Sequence, residues 1–262
     1  DIKETILAVD INEATQAVKE NRFHDAIKLL EISLIEHPDH IDSLYLAGVC
    51  SRYLKEFDDA IKYIESLLLH APDMGRAYQE LAHINRDMGN EEKSISNYRQ
   101  ACELNPALIS SWMSLYEYFK KNNNKPALDH ATEQINKLQS LPNMLLYIDQ
   151  VMNEGRLGVA ELKCREFLKK NPTHTYAMSQ LSEIANRLGH FDDAELLLEK
   201  AVQFNPDDGE LRMKYALVLR KKQKFAKTME QVNILCDKYP DNLSYQAQKA
   251  SEIMQNGQHE DA

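Results

Sequence analysis

Large side chains return at the fourth, seventh, twenty-fourth and twenty-eighth places of a 34-residue unit in most of its copies, and at the eleventh in four of the eight (Phe119, Val151, Leu219, Ile253), with mostly polar residues between them. Spacings of three and four inside each cluster belong to helices that bury one stripe. Every unit therefore predicts two helices, a helix A over positions 2–14 and a helix B over positions 18–31. Prolines set the frame: Pro38, Pro72 and Pro106 stand 34 residues apart, and so do Pro172, Pro206 and Pro240. With each at position 32, the units begin at Leu7, Ile41, Gly75, Ile109, Leu141, Thr175, Gly209 and Leu243. Position 8 then reads Ala14, Gly48, Ala82, Tyr116, Ile148, Ser182, Ala216 and Ala250, and position 20 reads Ala26, Ala60, Ser94, Leu128, Ala160, Ala194, Thr228 and Ala262. Both columns are mostly small, which is what a close crossing of the two helices requires. Glycines at position 15 (Gly89, Gly155, Gly189, Gly257) supply the left-handed backbone of the turn between them. The large residues, Trp112 at position 4 among them, are expected to pack in the core.

The interval from Pro106 to Pro172 is 66 residues, two short of two periods. The frame divides the chain into a regular block over 7–108, a short irregular unit over 109–140 and a regular block over 141–262 that stops at position 20 of an eighth unit. The irregular unit has Ser140 in place of the proline and Pro126 near the start of its helix B, where proline costs no helix hydrogen bond. Tyr116 and Ile148 put bulk where the crossing wants a small residue. A local change of pitch is expected near residues 138–144. Asn122, Asn123 and Asn124 predict an exposed turn. The last unit lacks its helix B, so the parent protein is expected to continue past Ala262.

Net charge is −10 with an isoelectric point near 5.4, which disfavours nucleic acid as a partner. Cys50, Cys102, Cys164 and Cys236 form no CxxC pair, and the nine histidines show no metal-binding spacing, so four reduced, partly buried thiols and no metal are expected. That usage favours a cytoplasmic location. No run of about 18 apolar residues is present, so membrane insertion is not expected. The eight glycines are scattered at repeat positions and build no phosphate loop. No nucleophile and base pair off. The chain is expected to be no enzyme and to need no cofactor.

A 34-residue period with small residues at 8 and 20 and prolines at 32 resembles the tetratricopeptide repeat family. The resemblance covers residues 7–262 and implies an all-α fold: one right-handed α-solenoid of antiparallel helix pairs, about seven and a half repeats, with A helices lining a concave groove. In this family, positions 2, 5, 9, 12 and 13 of helix A face the groove. Here those columns hold nine basic residues, Lys19, Arg52, Arg76, Arg86, Lys120, Lys121, Arg187, Arg220 and Lys221. They also hold six acidic ones, Asp42, Asp87, Glu117, Asp149, Glu183 and Glu210, for a net of +3. Tyr45, Gln79, His83, Tyr176 and Asn186 lie among them, and Tyr45, Arg52, Arg76, Gln79, His83, Arg86, Lys120, Lys121, Tyr176, Asn186, Arg187, Arg220 and Lys221 are the candidate ligand residues. Positions 12 and 13 are also the last turn of helix A, where the helix dipole by itself favours cations. The family's carboxylate clamp for chaperone tails is absent: its places hold Ile11, Thr15 and Leu46, and only Arg76 fits.

The implied function is a non-catalytic scaffold that binds a protein or peptide in the groove, with an acidic segment or the parent's own C-terminal domain as candidate partners. A narrower likeness lies in the second half. Segments such as 154–174 (EGRLGVAELKCREFLKKNPTH) and 187–207 (RLGHFDDAELLLEKAVQFNPD) resemble the N-terminal repeat region of bacterial tetratricopeptide-repeat sulfotransferases. That likeness covers about residues 109–262 and implies a catalytic domain beyond Ala262. It transfers no catalytic residue, because no basic phosphate loop stands in this sequence.

Overall fold

The computed structural model describes the backbone of residues 2–260 and the side chains of residues 11–255. The Leu7 side chain and Ala262 lie outside the described residues. Fifteen α-helices and no strand are present among them. Two compact units divide the chain at Pro142/Asn143. The first holds α1 (Ile2–Lys19), α2 (Phe23–Glu36), α3 (Ile41–Tyr53), α4 (Phe57–His70), α5 (Gly75–Asp87), α6 (Glu91–Leu104), α7 (Ile109–Lys121) and α8 (Lys125–Gln139). The second holds α9 (Asn143–Asn153), α10 (Leu157–Lys170), α11 (Thr175–Arg187), α12 (Phe191–Phe204), α13 (Gly209–Lys221), α14 (Phe225–Lys238) and α15 (Leu243–Glu260). Odd-numbered helices are the predicted A helices and even-numbered ones the B helices, each typically one residue earlier than the frame placed it. Within each unit every helix packs on its successor, and α3 touches α5 as α11 touches α13. This is a helical solenoid, in which each pair buries on its neighbours the face it cannot bury alone.

All seven A-to-B turns share one geometry. Position 15 has positive φ at Asn21, Lys55, Gly89, Asn123, Gly155, Gly189 and Gln223. After α3 the Glu56 amide donates to the Ser51 carbonyl and the Lys55 amide to that of Arg52, the paired bonds of a Schellman cap, and the same pair recurs at Gly89 and Asn90. Glycine makes this cheap at three turns. Exposed Lys55 and Gln223 adopt the same conformation at a cost of about 1–2 kcal/mol. Lys55→Gly is therefore expected to raise stability by about 0.5–1 kcal/mol, after subtracting glycine's extra freedom in the unfolded chain; a lowered urea midpoint would refute it. Gly257 marks no turn, because α15 runs on to Glu260. One glycine costs a helix only about 1 kcal/mol, too little to end it.

Helix B ends where the next residue precedes a frame proline. His37, Ala71, Asn105, Asn171, Asn205 and Tyr239 all sit near φ −133 and ψ 72, away from helical values, because the following proline ring excludes them. Ser140 has no proline after it and stays helical at φ −74 and ψ −15, so α8 reaches 15 residues. The start of α8 is 18 residues before that of α9, as in every other repeat, while α9 to α10 is 14 against 16 from α3 to α4. The two missing residues thus come out of α9, which has 11.

The small columns are where the helices close. Ala14, Ala26, Ala60, Ala82, Ala160 and Ala194 have no exposed surface. A Cβ on Gly48 would stand 2.5 Å from the Ile64 side chain of α4. In the fourth repeat Tyr116 and Leu128 are only half-buried, and α8 buries Ala131 and Leu138 instead, off the stripe that α4 buries with Ala60, Ile64 and Leu67. Trp112 is half-buried as well. Its indole N–H donates to the Pro106 carbonyl at 2.9 Å, and its ring meets His130 edge-on beside a cavity of about 500 Å³.

Candidate functional site

In the first unit the A helices α3, α5 and α7 carry the candidate residues, and five of the eight (Tyr45, Arg52, Arg76, Gln79 and Lys121) are tied to a neighbouring repeat. Arg52 leaves the last turn of α3 and places its Nε 2.5 Å from Glu80 Oε1 on α5; the two side chains are only 11% and 4% exposed. Its Nη1 lies 3.4 Å from Asp87, and its guanidinium covers the Tyr53 ring. Burial raises the Glu80 carboxyl above its ordinary value against the pull of Arg52, while Arg52, despite its own burial, holds its proton more tightly because of Glu80. Arg76 stacks over Tyr45 at 4.3 Å and reaches Asp42 at 3.5 Å. Gln79 accepts from the Ser110 and Ser111 hydroxyls of α7, each at 2.8 Å.

The same network continues into α6. Arg86 donates to Asp87 at 3.0 and 3.1 Å and to the Tyr98 hydroxyl at 3.3 Å, and that hydroxyl lies 2.7 Å from His83 Nδ1. Burial, with Arg52 and Arg86 adding to it, pushes His83 down to about 4, so the imidazole is neutral. With Arg86 donating to the phenol oxygen, the network assigns the phenol proton to Nδ1 and the ring's own proton to Nε2. Lys121 pairs with Glu91 at 2.8 Å, and the Lys120 ammonium sits 5.8 Å from the Tyr116 ring. Arg86 and Lys121 keep 53% and 68% of their side-chain surface exposed. Both line a cavity of about 580 Å³ between α5, α6 and α7.

In the second unit the pattern repeats with other partners. The Tyr176 hydroxyl donates to Asp149 at 2.5 Å, and burial together with that carboxylate holds the phenol far above its ordinary value. Asn186 accepts from Lys221 at 3.0 Å. Arg187 turns to Glu183 on its own helix and to the Met152 carbonyl. Arg220 lies 3.4 Å from Glu252 of α15. A cavity of about 600 Å³ at the start of α12 is lined by His190, Phe191, Asp192, Lys221 and Lys222, and Lys222 bonds both Asp192 and Glu195.

The structure thus joins Arg52, His83 and Arg86 into one network, joins Tyr45 to Arg76 and Asn186 to Lys221, and sends Gln79, Tyr176, Arg187 and Arg220 to partners outside the candidate set. Two residues missing from that set, Glu80 and Glu252, are nearly fully buried. They sit at positions 6 and 10, outside the five columns, but 28 and 32 residues after Arg52 and Arg220. A carboxylate almost one repeat beyond an arginine was the signal available. Counting both lowers the +3 of the A-helix columns to +1.

No cluster of three His, Cys, Asp or Glu side chains among the described residues is arranged to hold a metal ion, and no described helix is long and apolar enough to cross a membrane. Two family models, both described as tetratricopeptide repeat, match residues 75–108 and residues 11–68 with 180–242, together more than half of the chain. The DnaJ homolog subfamily C member 7 homolog of Dictyostelium discoideum is 22% identical over 222 residues, 82% of this chain. The match takes in 37% of that relative's length. Among solved structures, Naa15/Naa10 bound to HypK-THB aligns over 94% of this chain and 39% of that one at 16% identity and a TM-score of 0.46. A tetratricopeptide repeat protein from Parabacteroides merdae aligns over 95% and 99% at 11% identity and a TM-score of 0.45.

Proposed function

Because the chain belongs to the tetratricopeptide repeat family, whose members serve generally as non-catalytic protein–protein interaction scaffolds, we propose that the A-helix face of α3, α5 and α7 binds a peptide segment of a partner. The observation that carries this reading is the cross-repeat ladder from Arg52 to His83. Its side chains are already fixed by Glu80, Asp87 and Tyr98, so a peptide meets donors and acceptors that lose little freedom on binding. Arg86 and Lys121 are the exposed cations beside it and the points where an acidic residue of the segment would be met. Their surface pairs are weak and exchangeable.

A peptide library displayed on phage and selected on the full chain tests this. Enriched peptides are expected to bind Arg86→Ala/Lys121→Ala about tenfold more weakly, in line with about 1.4 kcal/mol for the pair. Undiminished binding to the double variant, or no enrichment at all, would sink the assignment. Arg52 is unsuited to this test, since its removal strands Glu80. The parent's own C-terminal domain and the sulfotransferase context are separate proposals resting on the likeness of segments 154–174 and 187–207. The reading frame after Ala262 decides them: a strand, phosphate loop and helix are expected there, and further repeats alone would eliminate the sulfotransferase.

A further inference from the structure

We infer that the cavity between α5, α6 and α7 receives the long cationic side chain, arginine or lysine, of the bound segment, an inference that rests on the peptide-binding reading above. The cavity is about 580 Å³, ample for one side chain, and its lining combines apolar and charged groups. Ile95, fully buried Tyr98 and half-buried Tyr118 form an apolar wall. Charged groups stand along the rest of it, and their bonding decides which sign of ligand fits.

Both cations of the lining are already engaged. Arg86 has Nε and Nη2 on Asp87 and Nη1 on the Tyr98 hydroxyl, and Lys121 has its ammonium on Glu91. Glu117, on the exposed side of α7, lines the same cavity and makes no hydrogen bond or ion pair among the described residues. The lining sums to zero, Arg86 and Lys121 against Glu91 and Glu117, and Glu117 is its one charged group without a partner among the described residues. An entering carboxylate would be repelled by Glu117; an entering guanidinium or ammonium would pair with it, with the Tyr118 ring of the lining as a cation–π partner. Long cationic side chains bury their methylene stems on apolar surface while keeping the head polar, which matches a lining that holds Ile95 and Tyr98 together with a carboxylate. A single acidic residue on the segment can still meet Lys120, or the solvent-exposed sides of Arg86 and Lys121, which also line the cavity, so the favoured segment is a basic anchor with acidic neighbours. In the second unit's cavity at the start of α12, Leu217 holds the place of Glu117, and the carboxylates come from Asp192 and Asp193 of α12 instead.

Two measurements on the full chain test it. In the phage selection, peptides from the native chain are expected to share an Arg or Lys beside Asp or Glu; those peptides should bind Glu117→Gln about fivefold more weakly, and selection on Glu117→Lys should lose the basic residue. In nitrogen-15 spectra, N-acetyl-arginine amide at millimolar concentration should shift the amides of Gly89, Ser114 and Glu117, N-acetyl-glutamate amide should not, and Glu117→Lys should abolish the response. Enriched peptides without a basic residue, an unaltered preference in Glu117→Lys, or no shift with the arginine amide would each overturn the pocket while leaving the groove reading intact. Arginine-amide shifts without any enriched peptide would uphold the pocket and discard the groove reading.

Discussion

Replacing Glu80 with leucine is expected to cost about 3 kcal/mol, because it leaves the Arg52 guanidinium, almost out of contact with water, with the longer contact to Asp87 as its remaining ion pair. Arg52→Met alone should cost a similar amount at pH 7 by stranding the Glu80 carboxylate. That second penalty should shrink as the pH is lowered toward 5, since burial already raises the Glu80 carboxyl and a proton removes its charge. The double variant, with both charges gone and the volume kept, should come back to within about 1 kcal/mol of the native chain. Urea unfolding followed by the fluorescence of Trp112, the chain's one tryptophan, reads the first unit directly. Penalties that simply add in the double variant would show that the two side chains do not depend on each other.

A second large effect is expected from acid. His83 has its folded value lowered to about 4, against an ordinary 6.5, so the unfolded chain takes up a proton that the folded chain refuses. Its contribution is complete above pH 6.5 and is lost as the pH falls from there to 4, by up to about 3 kcal/mol at the lower end. The difference in unfolding free energy between the native chain and His83→Gln, followed from pH 7 to pH 4, isolates this from the carboxylates. A difference that stays constant over that range would refute the assignment of His83 as a buried neutral ring.

The fold was legible because close helix crossings tolerate so little. Ala26, Ala60 and Gly48 announce the crossing by their size, and the prolines announce the ends of the B helices by what they forbid to the residue before them. The turns were half legible: Gly89 and Gly189 showed where the backbone goes left-handed, but Lys55 and Gln223 take the same conformation under the constraint of the surrounding pair, and nothing in their chemistry says so. The frame put the two missing residues in the unit over 109–140, whereas they come out of α9, because prolines mark only the ends of B helices and α9 is an A helix. At the site, the cations stood out in the groove columns, whereas their partners did not. Glu80 and Glu252 occupy columns that face the neighbouring repeat, and whether a charge there meets solvent or an arginine depends on how two repeats dock.

The four cysteines are all free and buried, Cys50 and Cys102 in the first unit, Cys164 and Cys236 in the second. Burial pushes Cys50 up to about 11 and Cys102 and Cys164 up to about 12, so these three carry almost no thiolate at neutral pH. An alkylating reagent finds such thiols only when the helices around them part. Each unit thus carries its own pair of shielded tags, and the order in which they become modified under mild denaturant is a natural clock of which half of the chain opens first.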